Sequence, residues 1–340
     1  WLSLFVFAIL PFISFIWLVK RHNLWFYRKD YLKKKIEINE QELRAIQYDF
    51  SDFDSGNEYI DPAHLYTYDL DVFGDYSLFQ YINRTSTPVG KQHLADWFNA
   101  HLELKESIEQ RQEAIRELST DLEYRQQIRL FGLLYKGKPA DTNEIREWAG
   151  SPSYYRKHTL LRIIPTVVSI INLICIGSAI VGILPATVPG GVFFCFVIFS
   201  SIFSKGITKL QATYGKKLQI LSTYADQILL TEKKEMNSPV LQQLKTELTS
   251  QNQTASQAVR QLSKLMNALD QRSNLLMSTI LNGLIFWELR QVMRIEKWKE
   301  THASDLPRWI ETIGEIDAYC SLATFAYNHP DYIYPTIAAQ

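Results

Sequence analysis

Apolar and polar positions alternate along this chain in two distinct ways. From Ile163 to Ser204 there is no Asp, Glu, Lys, Arg or His at all. As a helix that run would be roughly 60 Å long, twice the thickness of a bilayer core. Leu184-Pro185-Ala186-Thr187-Val188-Pro189-Gly190-Gly191 near its middle interrupts helical continuity. The pattern therefore predicts a membrane hairpin, with one span at 163–184, a tight turn, and a second span at 188–204. Leu2 to Val19 is a further apolar run, read as a third span, with a signal peptide as the alternative. Its basic residues follow the run instead of preceding it, and no small-residue cleavage site is present. A hairpin buried in a soluble core is the alternative for 163–204.

Elsewhere apolar residues recur every three or four positions between charged ones, the signature of amphipathic helices. The predicted helices are 20–47, 88–100, 105–118, 121–134, 141–149 and about 308–328. Leu210, Tyr214, Leu218, Leu221, Ala225 and Ile228 form one stripe on a long helix after the hairpin. Asn237-Ser238-Pro239 ends that helix and caps the next. Ala258, Leu262, Leu265 and Leu269 sit at heptad-like spacing in a second long helix predicted over about 254–300. Nothing in the pattern calls for a sheet, so the expected fold class is all-α. The expected organisation is a transmembrane helix at 1–19, a basic juxtamembrane helix and acidic loop at 20–58, and a core helical region at 59–149. The transmembrane hairpin at 163–204 and lever helices at 205–340 follow.

Charge sets an orientation. Lys20, Arg21, Arg28, Lys29, Lys33, Lys34 and Lys35 follow the first span, and Arg156, Lys157 and Arg162 precede the hairpin. Lys205, Lys209, Lys216 and Lys217 follow it. The positive-inside rule puts all these ends on the cytoplasmic side of an inner (cytoplasmic) membrane and leaves the Pro/Gly turn outside. The basic residues also favour anionic lipid headgroups. Over the whole chain 36 basic and 36 acidic residues balance, so no global field draws nucleic acid in. Cys175, Cys195 and Cys320 form no ligand spacing and read as reduced thiols. The chain starts at Trp1 inside an apolar run and is expected to be part of a longer protein.

The sequence carries no recognisable catalytic signature. Gly90-Lys91, Gly137-Lys138 and Gly215-Lys216 are followed by Gln, Pro and Lys, not by the Ser or Thr of a phosphate-binding loop. No zinc-protease His pair, nucleophile elbow, Cys-x-x-Cys or dinucleotide fingerprint occurs. Asp49, Asp52, Asp54, Glu58 and Asp61 make an acidic loop. Its Gly56 comes one place early for a calcium-binding loop, and Ala63 stands where the bidentate Glu belongs. The chain itself is thus expected to hold no catalytic residue, cofactor or metal. The densest local signal is at 82–98. Thr87-Pro88 is a cap followed by a first-turn proline, Gly90 lies in the first turn, and Leu94, Trp97 and Phe98 follow on one face. This reads as a packing node, with Gly90 admitting a close neighbour.

The stretch DLDVFGDYSLFQYINRTSTPVGKQHLADWF, followed by IEQRQEAIREL at 108–118, resembles the core domain of the MutS family of DNA mismatch-repair ATPases. The likeness rests on Thr85, Thr87, Pro88 and Gly90 at the helix start, then Arg111, Gln112, Ala114, Ile115, Glu117 and Leu118. A second likeness, EIDAYCSLATFAYNHPDYIYPTI at 315–337 with Asp317 inside it, is to the helix leading from the family's lever into its ATPase domain. The resemblance implies helices that relay nucleotide state to DNA, with ATP and Mg expected in an ATPase domain missing from this chain. It also implies DNA as a possible ligand and a homodimer formed through that ATPase. The family's mismatch-reading domain has no room here, and the membrane hairpin is foreign to it. Phe286-Trp287-Glu288 spells the Phe-x-Glu tripeptide of mismatch readers, but it falls inside the predicted long helix and reads as coincidence. A membrane-tethered scaffold that binds protein partners without DNA or ATP is the alternative function.

Overall fold

The computed structural model describes residues 2–134, 139–218, 221–249, 254–270 and 274–338, with side chains up to Leu10 and some others beyond description. Among the described residues there are helices and no strand, only an isolated bridge between Thr249 and Thr254. The fold is all-α. The chain divides into two compact units. The first comprises residues 1–86, 94–135 and 317–340, and the second 87–93 and 136–316.

The first unit starts with α1, Leu2–Ile46, which runs without a break from the first apolar stretch into the basic one. The short α2, Leu78–Ile82, is capped by Ser77, whose side chain accepts from the Gln80 amide. α3 is Pro88–Asn99, of which residues from Leu94 onward belong here. α4, Lys105–Ser119, and α5, Leu122–Leu134, follow. The core forms where the lead-in predicted apolar meets the helices. Val72, Phe73, Phe79, Leu94, Ala95 and Ala318 are buried together, with Trp97 and Phe98 at the edge.

In the second unit α6 is Pro139–Gly150, and α7, Thr159–Ile180, and α8, Thr187–Leu218, are the hairpin. Both α7 and the first 18 residues of α8 are long and apolar enough to cross a membrane. The turn comes earlier than the prolines suggest. Gly182, at φ 82°, ends α7, with the Ile183 amide returning to the Ser178 carbonyl at 2.9 Å. A glycine in the left-handed region is a common helix stop. Pro189 then falls in the first turn of α8, where a missing N–H costs little. The side chains of Leu210, Tyr214 and Leu218 in the predicted stripe lie outside the described residues, as do Lys205, Lys209, Lys216 and Lys217. Leu221, Ala225 and Ile228 are buried on α9, Leu221–Lys233. α10, Pro239–Glu247, starts at the predicted cap, with Ser238 accepting from the Leu241 amide.

The single long helix expected over 254–300 is three helices: α11, Ala255–Asp270, α12, Leu275–Ile285, and α13, Trp287–His302. Asn274 caps α12, and Phe286 breaks the line with φ 52° and ψ 51°. A bulky residue in that region is strained and needs tertiary support. Phe286 has it, being buried with its ring against Phe196, Phe199 and Phe203. α11 packs against α9 and α13, and of the heptad-like stripe Ala258, Leu262 and Leu269 are buried while Leu265 is half-buried. α14, Leu306–Asn328, contributes residues to both units.

Candidate functional site

The segment between α2 and α3 is polar in sequence yet largely buried, so each polar group there needs a partner. Asn83 accepts from the Thr85 amide at 3.0 Å and from the Thr85 hydroxyl at 2.6 Å, and donates to the Asp54 carbonyl at 3.2 Å. Arg84 is buried. Its amide donates to Ser321 Oγ at 2.8 Å and its Nε to the Glu42 carboxylate at 2.8 and 3.0 Å. Its guanidinium carbon lies 3.5 Å from the centre of the Phe53 ring. Glu42, on α1, also pairs with Arg129 of α5 and accepts from Asn328 of α14 at 2.9 Å. One carboxylate therefore ties α1, α5, α14 and the α2–α3 segment together. Burial pushes the Arg84 pKa down to about 10, opposed by Glu42. Burial also lowers Arg129, again opposed by Glu42. A value near 10 keeps Arg84 charged at neutral pH.

Asp317 makes the second tie. It is buried on α14, and its two oxygens take the Ser86 amide at 2.8 Å and the Ser86 hydroxyl at 3.1 Å. Gly132 of α5 leaves room for this arrangement. A Cβ there would stand 2.1 Å from Ser86 Oγ. Ser321, one turn after Asp317, donates to the Ile82 carbonyl at 2.8 Å. Arg111 stacks its guanidinium 4.3 Å from the Trp97 ring centre, and Trp97 in turn packs on Tyr319 at 4.7 Å. The neighbouring Gln112 donates to the Pro335 carbonyl at 3.0 Å, and Arg116 lies 4.6 Å from the Tyr334 ring. Gln112 and Arg116 of α4 thus hold the extended stretch that follows α14. A cleft of about 200 Å³ opens beside Glu42, walled by Ile38, Leu43, Leu122, Arg125 and Tyr327.

In the second unit Thr87 caps α3, accepting from the Gly90 amide at 3.0 Å, with Pro88 at the first helical position. Gly90 is buried. The close approach described here is between Val89 and Gly314, where a Cβ would come within 2.4 Å of Val89 Cγ1. His93 meets Glu311 at 3.0 Å, and Arg146 pairs with the same carboxylate.

The residues singled out from sequence therefore lie in helix starts and buried ties. Glu42, Arg84, Ser86, Gly132 and Gly314 were missed. Arg84 carried a signal, a lone cation in an otherwise uncharged stretch, but its partner lies 42 positions away. Asp317 is likewise the lone charge of an apolar run. Among the described residues no three His, Cys, Asp or Glu side chains are grouped to hold a metal ion. Phe286 and Glu288 of the Phe-x-Glu tripeptide are buried, and Glu288 is bound to Ser278 and Asn282. The tripeptide stands at a helix break, not inside a helix, and serves that break.

The arrangement offers ion pairs and hydrogen bonds that fix helices, with the heads of Arg84 and Arg129 engaged by Glu42. No curated protein and no solved structure matches the chain. The MutS domain III family model matches residues 65–323, a stretch that includes α7 and α8. The chain belongs to the MutS domain III family and is a MutS-like mismatch-repair core region.

Proposed function

We propose that this chain is the core and lever region of a membrane-anchored MutS-like ATPase, relaying nucleotide state to DNA binding. The observation that carries the reading is the family match over 65–323 together with the buried tie between Ser86 and Asp317. Asp317 lies on α14, whose continuation resembles the family's connector to its ATPase domain. A change imposed on that connector would act directly on the segment that starts α3. ATP and Mg would be held by the ATPase domain, which would also make the homodimer. The hairpin would anchor the assembly in the inner membrane, lipid on its outer faces and the other helices on the cytoplasmic side.

The scaffold reading is favoured by one observation: 36 basic and 36 acidic residues, with arginines such as Arg84 and Arg129 engaged internally. The test is to read the parent gene past Gln340 for Gly-x-x-x-x-Gly-Lys-[Ser/Thr], and then to measure ATP hydrolysis by the whole protein in proteoliposomes. Hydrolysis that changes on adding duplex DNA supports the relay. A parent without that motif, or hydrolysis indifferent to matched and mismatched DNA, returns the scaffold. Orientation has its own check. Thr187→Cys should react with an impermeant maleimide in intact cells lacking Cys175 and Cys195. Gln47→Cys and Ser256→Cys should react only after the cells are opened.

A further inference from the structure

α12 is an apolar helix too short to span a bilayer. Its eleven residues, LLMSTILNGLI, include no charge and reach only about 16 Å as a helix, half a hydrocarbon core. In a water-soluble lever such a helix would be expected to turn its leucines inward. Here Leu275 is 82% exposed and Leu276 77%, matching Leu173 of α7 at 73% and Ile198 of α8 at 70%. The inward side packs on both hairpin helices. Gly283 lies so close to α8 that a Cβ would come within 2.3 Å of the Phe193 ring.

The way α12 ends is the second observation. The last carbonyls of a helix have no intrahelical partner and in water are solvated. In hydrocarbon every one must find a protein donor. Asn172, the one carboxamide in the charge-free run, spends its Nδ2 on the Gly283 and Leu284 carbonyls, both at 2.9 Å. Arg290 Nε donates to the Ile285 carbonyl at 2.8 Å, and the Phe286 amide to the Asn282 carbonyl at 3.1 Å. Four consecutive carbonyls are thus satisfied without water. α13 returns to the side from which α7 starts, and α11 begins there. Glu296 of α13 accepts the amides of Tyr154, Tyr155 and Arg156 just before α7, and Trp298 Nε1 reaches the Ala258 carbonyl of α11.

We propose that α12 is a re-entrant membrane segment: a half-helix seated in the acyl chains beside the hairpin, entering and leaving on the same side. This rests on the membrane reading of α7 and α8 given above. On that reading Asn172 is roughly 13 Å inside the first uncharged residue at 1.5 Å per residue, so the end of α12 sits near the bilayer midplane. The partner of its exposed face is lipid hydrocarbon, continuous with the lipid around α7 and α8.

The test uses the full chain in phosphatidylcholine vesicles, with Cys175, Cys195 and Cys320 replaced by alanine and one cysteine introduced at a time. Leu276→Cys and Leu173→Cys, each carrying a small fluorophore, are exposed to a nitroxide on the lipid acyl chain or to aqueous iodide. The expected result is loss of fluorescence to the nitroxide and little to iodide at both positions. Quenching of position 276 by iodide while position 173 answers to the nitroxide overturns the proposal and leaves the hairpin reading intact. Quenching of both by iodide overturns both. Protection of position 276 from both quenchers overturns it in favour of a protein interface. The unmodified protein offers a check free of substitutions. A diazirine-bearing phosphatidylcholine should leave adducts on the 274–286 peptide as well as on α7 and α8, and absence from 274–286 alone counts against it.

Discussion

Glu42 and Asn172 are both polar side chains largely withdrawn from solvent, and they answer different demands. Glu42 neutralises two buried cations, Arg84 and Arg129, and its burial is tolerable because each charge meets its opposite. Asn172 meets no charge. It gives its amide hydrogens to the Gly283 and Leu284 carbonyls in the last turn of α12, where backbone carbonyls lack intrahelical partners. The first region uses electrostatics to fix several helices at one point, while the second uses a neutral hydrogen bond to close a helix end. Losing the same number of hydrogen bonds should therefore cost unequal amounts.

The largest expected effect is at the ion pair. Glu42→Ala leaves two guanidinium groups buried without a counter-charge and should cost about 3–5 kcal/mol in stability, measured by denaturant unfolding of the detergent-purified chain. A loss below about 1 kcal/mol, the range of exposed pairs, would remove the distinction drawn from Glu42.

Glycines extend the contrast, next in size. A Cβ at Gly132 would collide with Ser86, which Asp317 holds in place, whereas a Cβ at Gly190 of α8 meets nothing within 4 Å. Gly132→Ala should cost about 1–3 kcal/mol through overpacking. Gly190→Ala should be neutral or gain up to about 1 kcal/mol from helix propensity. Thermal unfolding of the two variants side by side tests the sign as well as the size. Equal shifts would mean that the crowding around Ser86 is relieved by a small backbone movement.

Asn172→Leu comes third. On the membrane placement proposed above, where hydrogen bonds between helices average about 0.6 kcal/mol and reach about 1.7, the variant should lose an amount in that range, well below Glu42→Ala. A loss as large as that of Glu42→Ala would show that closing the end of α12 matters as much as pairing the arginines.

What was legible in the sequence follows the same division. Local signals marked the helix starts at Thr87-Pro88 before α3 and Ser238-Pro239 before α10 to within a residue or two, and the charge-free run showed that two apolar helices, α7 and α8, lie there, though not where they end. The ties that organise the first region were not, because Ser86 and Asp317 are 231 positions apart and no periodicity links them. Gly90, expected to admit a close neighbour, is buried in the first turn of α3, while the contact of its neighbour Val89 with Gly314 joins positions too far apart in the chain for any periodicity to mark. The break at Phe286 left no mark either. Helix stops are read from Gly, Asn or Pro, and here a phenylalanine adopts the left-handed conformation because three other rings hold it.

The smallest expected effect concerns a buried polar group served by neither device. His302 is buried at the end of α13, its ring 5.1 Å from Trp298 and 5.9 Å from Trp309. Burial lowers its pKa below the usual histidine value, with Asp305 opposing. Below about pH 6.5 the unfolded chain, with an ordinary histidine, therefore binds more protons than the folded one. Stability contributed by this group is complete above that pH and is lost as pH falls from there through the lowered value. Unlike Arg84, whose charge is matched by Glu42 at neutral pH, His302 should make its region acid-sensitive. Denaturant unfolding of wild type and His302→Gln at pH 7.5 and 5.5 measures the difference. Wild type should lose more stability than the variant on acidification. An equal loss would mean that Asp305 compensates the imidazolium ion as Glu42 compensates the arginines, and the two kinds of burial would then share one electrostatic rule.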